Sequence, residues 1–173
     1  MKLSTRGRYA TRALLDLACH QEGAPIPLKD IARRQGISLY YLEHIVMPLA
    51  TAGMVRSLRG TSGGIQLARP PREIRLSGVL RLAEGSLVPV ECVANPEICS
   101  RSRLCVTREI CSTQISRLCV TREIWVELDR AMRAVLESTT LQDLVERQER
   151  KERAIGLDME EIGRGKVNGR LNQ

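Results

Sequence analysis

Five of the six cysteines in this chain crowd into one stretch, ECVANPEICSRSRLCVTREICSTQISRLCVTREI, as Cys92, Cys99, Cys105, Cys111 and Cys119. Thiolates are soft ligands, and several on one loop can converge on an iron–sulfur cluster or a zinc ion. The same run could act as redox thiols, and left unliganded and exposed it would be a liability. An enzymatic thiol oxidoreductase is not expected. The chain has no Cys-x-x-Cys pair, no basic partner for a nucleophile and no phosphate-cradling loop. The stretch also repeats itself. Ser102 to Ile110 (SRLCVTREI) recurs as Ser116 to Ile124, an offset of 14 that reads as a tandem duplication.

Composition bounds what such a site could serve. At 173 residues, 43% of them apolar, the chain can bury a core. Aromatics are 2% with no Phe, so that core must be aliphatic. The net charge of +7 and pI of about 9.4 point to nucleic acid or another anionic partner. Met1 to Thr11 is polar and basic, and no apolar run approaches the roughly 18 residues of a membrane span. A cytoplasmic protein with no membrane partner is expected. In a reducing compartment, clustered cysteines favour metal binding or redox sensing over structural disulfides.

The elements that must position the cysteines read clearly. Ser4 is placed to cap a first helix running to about His20, with Tyr9, Ala13, Leu14, Leu17 and Ala18 on one face. Lys2, Arg6, Arg8 and Arg12 load its N-terminal end against the helix dipole, so an anionic partner there accounts for them better than stability does. Pro25 and Pro27 fix a loop. Leu28 to Gln35 is a short helix that Gly36 can stop in the left-handed conformation. Ser38 then caps LYYLEHIVMPLATA, which Gly53 ends. This is a helix-turn-helix, held by Leu28, Ile31, Ala32, Ile37, Leu42, Ile45 and Val46. Pro48 should bend or split the second helix. Residues 54–58 and 65–68 alternate like strands around RGTSGG (59–64), a glycine-rich wing carrying Arg59, Gly60, Ser62, Gly63 and Gly64.

Beyond the wing, Ser77 should cap a short helix ending near Gly85. Past the cysteines, Ile124, Leu128, Ala131, Met132, Val135 and Leu136 form an apolar stripe on a long helix from roughly 120 to 137, anchored by the single Trp125 and read as a dimer helix. Thr140 and Asp143 resemble a capping box for a last helix. From about Lys151 a frayed or disordered tail is expected. The expected architecture is mainly α with a small β-hairpin wing. Residues 1–85 form a winged helix-turn-helix domain, 86–119 a cysteine loop, 120–150 the dimerisation and terminal helices, and 151–173 a tail. Cys19, beside apolar residues of the first helix, reads as a core cysteine.

Several landmarks in this order resemble one family. They are MKLSTRGRYATRALLDLA at the start, DIARRQGIS and YLEHI in the helix-turn-helix, RG-x-x-GG in the wing, and EC…C…CVTREIW before the long helix. Over residues 1 to about 148 the chain is similar to the Rrf2 family of bacterial transcription regulators, which includes IscR, NsrR and RirA. The resemblance implies a winged-helix homodimer on a palindromic operator in double-stranded DNA, of the repressor kind, sensing cluster status, redox or nitric oxide. It implies that the helix opening at Ser38 enters the major groove with Ser38, Tyr40, Tyr41, Glu43 and His44, with Glu43 at a base-reading position. A Glu can accept from cytosine N4, and Ser and Tyr commonly hold phosphates. Lys2, Arg6 and Arg8 suit phosphate contacts, and Arg59 can reach the minor groove.

The family pattern of cluster ligands carries over onto Cys92, Cys99 and Cys105, for a 2Fe–2S or 4Fe–4S cluster. Some relatives place a His three residues after the last cysteine; Arg108 stands there in this chain. The duplication departs from the family. Fourteen residues of helix add roughly 21 Å and a net rotation of about 320°. Cys105 keeps the ligand spacing, while Cys119 keeps the register to Trp125, and Cys111 is a further candidate third ligand. A winged-helix regulator without a cluster, using zinc, thiols or constitutive DNA binding, is the alternative.

Overall fold

A computed structural model describes residues 3–20, 23–60, 63–95 and 120–155. Lys2, Ser62, Cys99, Cys105, Cys111 and Cys119 lie outside the described residues, as do both copies of the repeat up to Cys119 and the tail beyond Ile155.

Local chemistry sets the first three helices. Ser4 caps α1 (Thr5–His20), its Oγ accepting from the Gly7 N–H at 3.2 Å. Helix α2 (Leu28–Gln35) ends at Gly36, whose φ of 64° and ψ of 38° turn its N–H onto the Ala32 and Arg33 carbonyls. Ser38 caps α3 (Leu39–Thr51) by accepting from the Tyr41 N–H at 3.2 Å. Strands β1 (Val55–Leu58) and β2 (Gly64–Leu67) follow as an antiparallel hairpin, with Val55 opposite Leu67 and Leu58 opposite Gly64. A 3₁₀ turn (Pro71–Glu73) leads into α4 (Leu76–Glu84) and α5 (Glu91–Ala94). Helices α6 (Val120–Ser138) and α7 (Leu141–Ile155) complete the described chain.

The core is aliphatic, as the lack of Phe requires. Leu14 and Leu17 of α1, Ile31 of α2, and Leu42 and Leu49 of α3 are fully buried, with Val55, Ile65, Ile74 and Val79 closing the far side. Each such side chain contributes roughly 1.5–3 kcal/mol by leaving water. The residues expected to hold the helix-turn-helix together do so: Ile31, Ala32, Leu42, Ile45 and Val46 are buried, and Leu28 and Ile37 pack against them.

Long-range contacts settle three details. Pro48 does not split α3, which runs unbroken from Leu39 to Thr51. A proline leaves the carbonyl four residues earlier without its helical donor, and that carbonyl, His44 O, accepts from Arg6 Nη2 of α1 at 3.3 Å. Ser77 is not the cap of α4, which starts one residue before it. The turn between α6 and α7 takes over that end. The Leu76 N–H donates to Thr139 O at 2.9 Å, Leu141 N–H to Ile74 O at 2.8 Å, and Arg75 Nη1 to Glu137 O at 2.9 Å. The last helix, expected over LQDLVERQERKER, runs two residues further, to Ile155, with Glu152 turned inward against α1. Its start is the expected capping box: the Thr140 N–H donates to Asp143 Oδ2 at 2.7 Å and the Asp143 N–H to Thr140 Oγ1 at 3.2 Å. These bonds hold the Asp143 carboxyl below its ordinary pKa.

Candidate nucleic-acid interface

Helix α3 has two faces. Leu42, Ile45, Val46 and Leu49 point into the core, while Tyr40, Glu43, His44, Met47 and Thr51 point out. Tyr40 is 72% exposed and Met47 63% exposed. The Tyr40 and His44 rings meet edge to face at 4.4 Å, forming one aromatic ridge one turn deep. Leu39 and Ser38 sit exposed beside it at the helix start. Tyr41 differs from its neighbours. It turns back, half-buried, and meets Tyr9 of α1 edge to face at 6.0 Å. The Arg12 guanidinium lies over that Tyr9 ring at 5.3 Å.

Side-chain bonds from α1 fix the angle at which α2 and α3 present this face. The Asp16 side chain is only 2% exposed. It accepts from Arg34 Nε at 2.9 Å, Arg34 Nη2 at 2.7 Å and Gln35 Nε2 at 3.0 Å. This hydrogen bonding raises the Arg34 pKa further. Arg12 adds bonds to Gln35 Oε1 at 2.9 Å and Gln35 O at 3.0 Å. Of the basic residues expected to meet phosphate, Arg6 is the partner of His44 O, and Arg8 reaches its own Thr5 Oγ1 at 3.4 Å; both remain exposed.

In the wing, Arg59 and Gly60 are exposed at the tip, and Gly60 has a φ of 119°. Gly63 and Gly64 are demanded by the chain itself. A Cβ on Gly63 would lie 2.6 Å from Leu58 O, and one on Gly64 2.4 Å from Ile26 O. The crowding at Gly64 exists because Ile26 pairs with Ile65 by two 2.8 Å bonds, which pin the wing to the loop before α2. The sequence reading missed Met47 and Arg56, which share the exposed faces of α3 and β1. The i+3/i+4 spacing from Glu43 and His44 signals Met47, and strand alternation against the buried Val55 signals Arg56.

The cysteine site is described at one end only. Cys92 lies half-buried in α5, and its carbonyl accepts from Arg122 Nε, in the first turn of α6, at 3.0 Å. Among the described residues no three His, Cys, Asp or Glu side chains gather as a metal site. The donors of the cysteine stretch, all thiols, fit a soft metal or an iron–sulfur cluster. Cys19 is half-buried rather than sealed in the core. Burial first, then the field of Glu152, Asp16 and Glu149, pushes its pKa from 9.0 up to about 11. Iodoacetamide at pH 8 is therefore expected to label Cys19 more slowly than an ordinary exposed thiol, with the rate still climbing above pH 10. Peptide mapping after timed alkylation measures it, and labelling of Cys19 at the rate of a free thiol would contradict it.

A capped second helix with a bare, polar outer turn, a pinned hairpin beside it and a basic helix behind it define a winged-helix DNA-binding protein. The chain belongs to the Rrf2 family of iron-dependent transcriptional regulators, whose model matches residues 3–147. It is 41% identical over 145 residues to the protein Rrf2 of Nitratidesulfovibrio vulgaris, covering 84% of this chain and 87% of that one. Among solved structures it is similar to CymR, the global cysteine regulator of Bacillus subtilis, with a TM-score of 0.66, 34% identity, and 84% and 97% of the two chains covered. It is equally similar to T. potens IscR, with a TM-score of 0.66, 34% identity, and 88% and 91% covered. The chain is thus a DNA-binding transcription regulator and not an enzyme. No helix among the described residues is long and apolar enough to cross a membrane.

Proposed function

We propose that this regulator acts as a cytoplasmic homodimeric repressor on a palindromic operator and senses its signal through a cysteine-ligated iron–sulfur cluster. The observation that carries the reading is the tie between Cys92 and α6 through Arg122. A cluster held by Cys92 with Cys99 and Cys105 would be anchored at one end of α6, whose other end is strapped to α4 of the reader. Cys119 and Cys111 stand as alternative third ligands. Such a cluster supplies ligation that oxidants or nitric oxide can break. DNA affinity then changes only if the loaded and empty forms bind the operator with different free energies. Similarity to a protein named IscR supports the cluster. The dimer is supported by α6 itself. Ile124, Trp125, Leu128 and Val135 are exposed, next to an apolar hollow of about 320 Å³ between Leu3, Leu80, Met132 and Leu136.

Anaerobic purification with iron, sulfide and zinc analysis tests the proposal. Brown protein with stoichiometric iron and sulfide is expected, lost in Cys92→Ala and Cys105→Ala but kept in Cys119→Ala. Colourless, iron-free protein that still binds its operator, or protein loaded with zinc, would overturn it.

A further inference from the structure

A second feature lies where α1, α2 and α7 meet. A cavity of about 300 Å³ opens there between Arg12, Cys19, Arg34, Gln148 and Glu152, with Leu15 as its apolar wall. That volume is at the lower end of ligand pockets, enough for a molecule of a few heavy atoms. Its charges balance but are not all paired with one another. Arg34 and Asp16 neutralise each other at 2.7 Å, and His20 Nδ1 lies 2.7 Å from Asp16 O. This leaves one anion and one cation. Glu152 is 9% exposed, and among the described residues its carboxylate has the Gln148 amide as hydrogen-bond partner and no cation. Arg12 spends Nε and Nη2 on Gln35 and keeps Nη1 uncommitted among the described residues. A buried carboxylate without a cation is costly unless something charged comes to it.

We propose that this cavity is an effector site for a small zwitterion of the α-amino-acid class. The ligand's ammonium group donates to the Glu152 carboxylate, its carboxylate accepts from Arg12 Nη1, and its side chain lies along Leu15 and Cys19. The site joins the C-terminal helix to the two helices that support α3, so occupancy ties α7 to the DNA reader. Any preference of the ligand for one DNA-binding state must appear as an equal change in operator affinity. The negative field already felt by Cys19, with Glu152 its leading charge, agrees with a cation-seeking pocket. The site is independent of the iron–sulfur reading and stands or falls without it.

Calorimetric titration with glycine, serine, glutamate and lysine, each beside its decarboxylated amine, tests the proposal. At least one amino acid should bind at sub-millimolar concentration. Its amine should bind about 10- to 100-fold more weakly, the worth of one charge-assisted hydrogen bond. Glu152→Gln should lose a similar factor while keeping its helical circular dichroism. Glu149→Gln, which alters a neighbouring carboxylate outside the cavity lining, should bind as the parent does. Occupancy should also slow alkylation of Cys19, read by peptide mapping. The proposal is overturned if none of these amino acids binds at millimolar concentration. It is equally overturned if the amines bind as tightly as the amino acids, or if Glu152→Gln binds undiminished.

Discussion

Asp16→Ala is expected to destabilise the reader by about 3–5 kcal/mol, the cost of leaving a buried charge without its partner. Urea denaturation followed by circular dichroism measures it. The carboxylate is nearly sealed, with 2% of its side chain exposed, and Arg34 is 20% exposed. It collects three donors from α2 within 3.0 Å. Truncation leaves the Arg34 guanidinium without its hydrogen-bonded counter-charge and frees Gln35, on which Arg12 also depends. The pair itself need not be net stabilising. A double variant, Asp16→Leu with Arg34→Met, should therefore recover most of the loss. A loss below about 1 kcal/mol for Asp16→Ala, as for a surface pair, would show that the bridge does not hold α1 to α2.

Gly64→Val should cost about 1–3 kcal/mol, the range for forcing atoms into filled space, and should weaken operator binding more than its stability loss explains. The added Cβ would meet Ile26 O at 2.4 Å and Ile26 C at 2.5 Å, which are backbone atoms that cannot rotate away. Relief requires breaking the paired 2.8 Å bonds between Ile26 and Ile65, which pin the hairpin that carries Arg59. Melting curves together with gel-shift affinity separate the two effects. Parent-like melting with parent-like affinity would show that the wing is not held at this point.

How far the sequence could be read depends on whether the determinants are local. Ser38, Gly36 and the Thr140–Asp143 box act within four residues, and each sits where its spacing placed it. The outward face of α3 followed from helical period, and so did the buried Leu42, Ile45 and Val46. What escaped is long-range. Nothing near Pro48 announces that Arg6, 38 residues before His44, will satisfy the carbonyl that the proline orphans. Ser77 looked like a cap because no local signal says that Thr139 O will reach the start of α4. Glu152 lies in a polar run, LQDLVERQERKER, which reads as helix but whose composition hides the one inward carboxylate that packing on α1 reveals. The turn of the Tyr41 ring toward Tyr9 of α1 is long-range too, since 32 residues separate the pair.

The claim that the outer turn of α3 reads DNA is tested most directly by selecting bound sequences from a random duplex library, for the parent and for Glu43→Ala. The parent should enrich an inverted repeat. Glu43→Ala should keep overall binding but relax one base position in each half-site, a discrimination of about 1–3 kcal/mol per position. An unenriched library, or a Glu43→Ala motif identical to the parent's, would contradict it.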